Sequence, residues 1–393
     1  MAKHTMQELY QLQALPLNIK VLMTAERIRN WVNEFGEDGV YLSFSSGKDS
    51  TVLGHIIRVV CGYKNIPFVF VDVPTQYPEL KQFAKTFDNL VILKPKISFA
   101  EVCEKYGFPM ISKEVSNCVS GARKYVKYLD SQKSNNTILT AVPYACYMAD
   151  LLGIGRRINK QNEQYKSLQM GVIPSGSEYR LRRLNGELTD SKGNYSQFNQ
   201  EKYKFFLDAP FEISDLCCDI MKKKPAHDYE KETGRKPIIA TMASESVMRT
   251  QKWLQDGCNA FNVTRPHSNP MSFWTEQDVL LYIKENNLPI CSVYGEVVTD
   301  YEAMGQCENQ MSFADFGIFY NERPLLKTTG CQRTGCVLCG FGCHLEKEPN
   351  RFQMLKETHP KFHNLLYVLK NNGVTYAEAI DWVNEHGNMN IKY

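Results

Sequence analysis

The chain has no run of about eighteen apolar residues, so nothing in it is long enough to cross a bilayer as a helix. Its opening residues, Met1-Ala2-Lys3-His4-Thr5-Met6, are too polar for a secretory signal, and a cytoplasmic protein is expected. There is no internal repeat and no low-complexity tract. Charge imbalance is also slight: the formal net charge is +3 on 393 residues, so no global electrostatic argument points to a nucleic acid or a membrane. Cysteine, by contrast, is plentiful. The count of 13 is odd and most are scattered, and without an export signal they are better explained as buried thiols or metal ligands than as a disulfide framework. A hydrophobic content of 43% at this length is enough for a sizeable core.

Apolar residues Val21, Ala25, Ile28, Trp31, Val32 and Phe35 recur near helical spacing and predict a helix over 17–35, stopped by Gly36. Residues 39–45 read as a strand and 49–61 as a helix ending at Gly62. Residues 67–72, Pro-Phe-Val-Phe-Val-Asp, form a nearly continuous β-prone run of the kind buried parallel strands show. A helix near 78–87 and a strand over 90–93 complete a βαβαβ order, which predicts a parallel, doubly wound α/β sheet with right-handed crossovers. A strand over 237–242 follows later, then a helix from about Ser244. Thr275 with Asp278, and Thr375 with Glu378, look like capping boxes that start two further helices.

Residues 151–206 break the rhythm. They are polar, and between Arg156 and Lys204 ten Lys or Arg stand against five Asp or Glu. They predict an inserted, solvated excursion or mobile cap, with a groove for an acidic substrate as the alternative. The expected organisation is a nucleotide-binding core in two parts (1–150 and 207–325), the insertion at 151–206, and a cysteine-rich region with terminal helices at 326–393.

The most informative segment is Ser43-Phe44-Ser45-Ser46-Gly47-Lys48-Asp49-Ser50-Thr51, between a predicted strand and a predicted helix. Small residues let successive N–H groups converge on an anion, and the helix N-terminus adds partial positive charge. It is not a Walker A loop. Leu42 stands where that motif needs glycine, and Asp49 follows the lysine where Ser or Thr is required. Arg249, at a helix start after a strand, is placed to grip a phosphate or sulfate, though Glu245 one turn earlier could pair with it instead.

The loop resembles the Ser-Gly-Gly-Lys-Asp-Ser pyrophosphate loop of the ATP-pyrophosphatase (PP-loop) superfamily, and more narrowly the phosphoadenosine phosphosulfate (PAPS) reductase family. Ser46 stands where the motif has its first glycine, and Gly47 keeps the second. Further stretches resemble that family in order: Val71–Glu79, which borders the nucleotide there; Glu245-Ser246-Val247-Met248-Arg249; and Trp274–Val279 followed by Leu288-Pro289 and Tyr294. The resemblance implies an adenine-nucleotide alpha hydrolase-like fold. It also implies a nucleotide site (ATP or a PAPS-like nucleotide, with Mg²⁺) at Ser43, Ser45, Ser46, Gly47, Lys48, Asp49, Ser50, Asp72 and Arg249. Lys48, Asp49 and Arg249 are the expected catalytic groups.

Cys331, Cys336, Cys339 and Cys343 crowd into thirteen residues, with glycines that permit the tight turn a Cys-x-x-Cys pair needs to bite one metal. Cys217-Cys218 resembles the tandem cysteines of the iron–sulfur sulfonucleotide reductases. The resemblance implies a 4Fe–4S cluster on Cys217, Cys218, Cys336 and Cys339; a compact set of Cys331, Cys336, Cys339 and Cys343 is the alternative, and zinc the alternative metal. Three functions remain open. The first is an adenylating, sulfur-transfer enzyme acting on a substrate such as nucleic acid. The second is a PAPS or adenylyl-sulfate reductase, which the absence of any cysteine after Cys343 disfavours, because that family's attacking thiol sits on a C-terminal element. The third is a regulatory or defence-type component working with a ParB-like partner.

Overall fold

A computed structural model of the chain describes residues 3–134, 176–304 and 324–393. They form two compact units: Met1–Lys96 with Met221–Cys336, and Ile97–Ile220 with Val337–Tyr393.

The first unit is built on six strands: β1 (Val40–Phe44), β2 (Phe68–Val71), β3 (Leu90–Leu93), β4 (Lys236–Ile239), β5 (Asn259–Ala260) and β6 (His267–Ser268). Their spatial order is β3-β2-β1-β4-β6-β5, and every pairing is parallel except β5 with β6. Leu42 on β1 lies between Phe68 on β2 and Ile238 on β4, and all three are fully buried; β2, Phe-Val-Phe-Val, is the strand that reads as an unbroken apolar run.

Helix α1 (Leu17–Phe35) buries Ala25, Ile28 and Trp31. Its Lys20 ammonium reaches Asp278 at 2.6 Å, and its Thr24 hydroxyl accepts from the Trp274 indole at 2.9 Å. Helix α2 (Lys48–His55) follows β1, and helix α3 (Val247–Asp256) follows β4. Gly54 of α2 lies so close to Phe68 that an added Cβ would stand 2.8 Å from its ring, so this helix–strand approach requires glycine. Helix α4 (Glu276–Glu285) begins with the expected Thr275–Asp278 capping box. The chain runs from β1 outward to β3, then returns to place β4 on the other side of β1. The carboxyl ends of β1 and β4 therefore form the topological switch point, where open α/β sheets bind ligands.

In the second unit the long helix Lys113–Ser134 packs against the helix Ser177–Asn185 and the 3-10 turn Glu201–Asp208. This differs from the solvated excursion expected over 151–206. Leu184 and Phe206 are fully buried, Arg180 lies across Gly121, and Arg123 donates to the Ala209 carbonyl at 2.8 Å. Residues 151–175 of that stretch, like Cys146 and Cys307, lie outside the described residues. A two-residue strand at Met110–Ile111 pairs in parallel with Gly340–Phe341, and Tyr376 stacks flat on Phe108 at 4.6 Å. The terminal helix Tyr376–Gly387 carries the expected Thr375–Glu378 box. The two units also divide the chain differently from the four sequence segments, because each is assembled from two stretches distant in sequence.

Candidate nucleotide site

Between β1 and α2 the backbone turns through Ser46, whose φ is +58°. The position that carries glycine in the resembled motif thus has a left-handed backbone here, occupied by a residue with a Cβ. Ser46 is completely buried, and its hydroxyl has no hydrogen-bond partner among the described residues. The neighbouring hydroxyls instead hold the loop's shape. Ser45 Oγ accepts from the Gly47 N–H at 3.3 Å and sits 3.1 Å from Ser50 Oγ. Ser50 and Thr51 both donate to the Gly47 carbonyl at 3.0 Å. The Ser45, Gly47 and Lys48 N–H groups are engaged as well, on Ser50 Oγ, Ser45 Oγ and Tyr294 Oη, so an anion at the start of α2 would exchange some of these local bonds for its own.

Lys48 is buried, with its ammonium 2.8 Å from Glu276 Oε1 at the start of α4 and donating to the Gln332 carbonyl at 2.5 Å. Its backbone N–H donates to Tyr294 Oη at 3.3 Å, and that hydroxyl lies 2.8 Å from Thr334 Oγ1. Burial pushes the Tyr294 hydroxyl up to about 12. Burial, with help from Glu245 and Glu276, likewise raises the Asp49 carboxyl to about 6, against the opposing pull of Lys48 and Arg333. One Asp49 oxygen has no hydrogen-bond partner among the described residues. Arg249, in the first turn of α3, pairs with Glu245, the surface pairing weighed in the sequence.

These groups line one cleft of about 580 Å³ at the β1/β4 switch point, inside the first unit. It brings together Ser43, Ser45, Gly47, Lys48, Asp49, Ser50 and Arg249, while Ser46 lies buried outside the lining. Asp72 is not in the lining; its carboxylate is held by Lys81 at 2.5 Å. Sequence reasoning missed Glu276, Thr241, Arg333 and Thr334. Glu276 was visible as a helix-start acid within the resembling stretch Trp274–Val279 but not as a partner of Lys48, and Arg333-Thr334 only as spacers between cysteines.

No cysteine among the described residues is in a disulfide. Cys331 and Cys336 belong to the first unit, where Cys331 Sγ lies 3.7 Å from Tyr77 Oη and Cys336 pairs through its backbone with Gln76. Cys217, Cys218, Cys339 and Cys343 belong to the second unit. There Cys343 donates to the Gly340 carbonyl at 3.0 Å. Burial pushes the Cys343 thiol up to about 12, and the Cys103 thiol likewise to about 12. Cys103, Cys217, Cys339 and Cys343 all bear electrostatically on the fully buried Tyr376 hydroxyl, which burial raises well above its ordinary range. Among the described residues no three Cys, His, Asp or Glu side chains are arranged as a metal set.

Residues 177–340 match the family model described as the phosphoadenosine phosphosulfate reductase domain. No curated protein matches the chain. Among solved structures it is similar to phosphoadenylyl-sulfate (PAPS) reductase from Candida auris in its phosphate complex. That similarity has 16% identity over 74% of this chain and 91% of that one, with a TM-score of 0.32.

Proposed function

We propose that this chain, whose residues 177–340 match the phosphoadenosine phosphosulfate reductase domain model, binds an adenine nucleotide over loop 45–50 and cleaves its phosphate chain to adenylate an acceptor. The observation that carries this reading is the loop itself: a left-handed turn at Ser46 feeding α2 at the switch point, with Lys48 buried beside it. In the reaction an acceptor oxygen attacks the α-phosphorus, the bond to the β-phosphate breaks, and pyrophosphate leaves onto the loop. The loop N–H groups, Lys48 and Arg249 face the charge that develops there, and Glu276 and Glu245 hold those two cations in place until the ligand arrives. Asp49 is the carboxylate offered to Mg²⁺, an ion that commonly takes one or two carboxylates plus phosphate oxygens and would neutralise the leaving pyrophosphate. Hydrosulfide, the sulfur donor in this reading, then attacks the activated carbon of the adenylated acceptor, a macromolecule such as nucleic acid; the C–S bond forms as the C–O bond breaks and AMP leaves.

Pyrophosphate release from ATP by the purified chain, lost in Lys48→Ala, tests the proposal. A wild type that binds ATP yet releases no pyrophosphate with any acceptor fraction contradicts adenylation. The family match over 177–340 favours a second reading, reduction of a sulfonucleotide, which sulfite production from PAPS with a dithiol donor would establish. No step is routed through a cluster. Whether Cys217, Cys218, Cys336 and Cys339 hold iron is decided by iron and sulfide analysis of anaerobically prepared protein. About four irons per chain, lost in Cys336→Ala and in Cys217→Ala, is the result expected of a cubane on that set; metal-free protein, or one tightly held zinc, rejects it.

A further inference from the structure

Three cations line the cleft: Lys48, Arg249 and Arg333. The first two are each neutralised by a carboxylate of the same cleft, Glu276 and Glu245. Arg333 is exposed and, among the described residues, makes no hydrogen bond or ion pair, although its charge reaches Asp49. A guanidinium carries five donors in a planar fork suited to phosphate oxygens.

Its backbone is not loose. On one side the Gln332 carbonyl accepts from Lys48 Nζ at 2.5 Å, and on the other Thr334 Oγ1 sits 2.8 Å from the Tyr294 hydroxyl that accepts the Lys48 N–H. Just before, the Cys331 N–H donates to the Val293 carbonyl at 2.8 Å. The residues flanking Arg333 are thus tied to the phosphate loop before any ligand is present, which lowers the ordering cost of using its side chain.

We propose that Arg333 is a substrate-binding residue, the cation with which the cysteine-rich segment takes the outer charges of a polyphosphate chain seated on loop 45–50. The inference rests on the nucleotide reading above and specifies it. An incoming anion reaches Lys48 or Arg249 only by displacing a carboxylate, whereas Arg333 is available without displacement. The advantage therefore goes to ligands with more than one phosphate, and a monophosphate held by the loop alone gains least.

The test is calorimetry on the full chain with three probes (ATP, AMP and inorganic pyrophosphate) at low salt. Arg333→Ala should weaken ATP and pyrophosphate by about tenfold or more, the scale of a charge-assisted contact. AMP should weaken by less than about threefold, as expected from a screened surface charge. Arg333→Lys should recover part of the loss, and because the residue is exposed all three proteins should melt together. Equal ATP affinity in wild type and Arg333→Ala overturns the inference while leaving the nucleotide reading intact. Equal losses for ATP and AMP also overturn it, because they show a general or structural effect. A wild type that binds none of the three probes overturns the nucleotide reading itself.

Discussion

Ser46 is where the structure sets a cost that substitution can measure in two steps. Its φ of +58° and its buried, unpartnered hydroxyl are separate penalties. Ser46→Ala keeps the Cβ and removes only the hydroxyl. A buried polar group left unsatisfied costs about 1–3 kcal/mol, so Ser46→Ala should be more stable than wild type by an amount in that range. Ser46→Gly then removes the Cβ as well. Relief of a left-handed L-residue is about 1–2 kcal/mol. The extra chain entropy of glycine takes back about 0.5–1 kcal/mol. Glycine should therefore exceed alanine by about 1 kcal/mol or slightly less. Urea unfolding followed by tryptophan fluorescence reads chiefly the first unit, which holds Trp31, Trp253 and Trp274 of the four tryptophans; Trp382 reports the second. If Ser46→Gly proves less stable than Ser46→Ala, the position does not need a left-handed backbone and the reasoning fails.

Two further outcomes follow from buried charge. The Asp49 carboxyl is raised from 3.8 to about 6 in the folded chain, so the native state binds the proton more tightly than the unfolded state, and stability falls as pH rises through that window. The loss is up to about 3 kcal/mol, complete above about pH 6. Asp49→Asn should abolish this slope and exceed wild type at neutral pH; parallel stability–pH curves for the two proteins would contradict it. Lys20 and Asp278 form a pair at 2.6 Å with side chains only 1% and 5% exposed. Lys20→Met leaves the Asp278 charge buried without its cation and should cost about 3–5 kcal/mol by denaturant unfolding. A loss below about 1 kcal/mol would show that the Thr275 contacts alone satisfy the carboxylate.

What the sequence made legible was local or repetitive. Phe68–Val71 announces a buried parallel strand because both of its faces are covered, so four apolar residues in a row suffice. Thr275 and Asp278 announce a helix start because the capping bonds run between residues three apart. Within the polar stretch 151–206, the described residues from 176 onward are harder to read for the opposite reason. They pack with few apolar anchors, Leu184, Tyr203 and Phe206, while Arg180 covers Gly121 with its side-chain stem. Stems of long charged residues bury apolar surface that composition scores as polar.

The least legible feature of the site is also the one that changes the meaning of a motif. Cysteine spacing draws attention to Cys331 and Cys336 and treats the residues between them as spacers. In the folded chain it is those spacers that meet loop 45–50: Gln332 through its carbonyl to Lys48, Thr334 through Tyr294, and Arg333 in the cleft lining. Glu276 behaves alike, since nothing near it in sequence shows that the first turn of α4 will face the first turn of α2. Both contacts exist only because β1 is central and the returning chain must pass the carboxyl ends of its neighbours, a consequence of strand order rather than of local pattern. The stretch 331–336 is in this way held against loop 45–50 by bonds that no local sequence pattern announces.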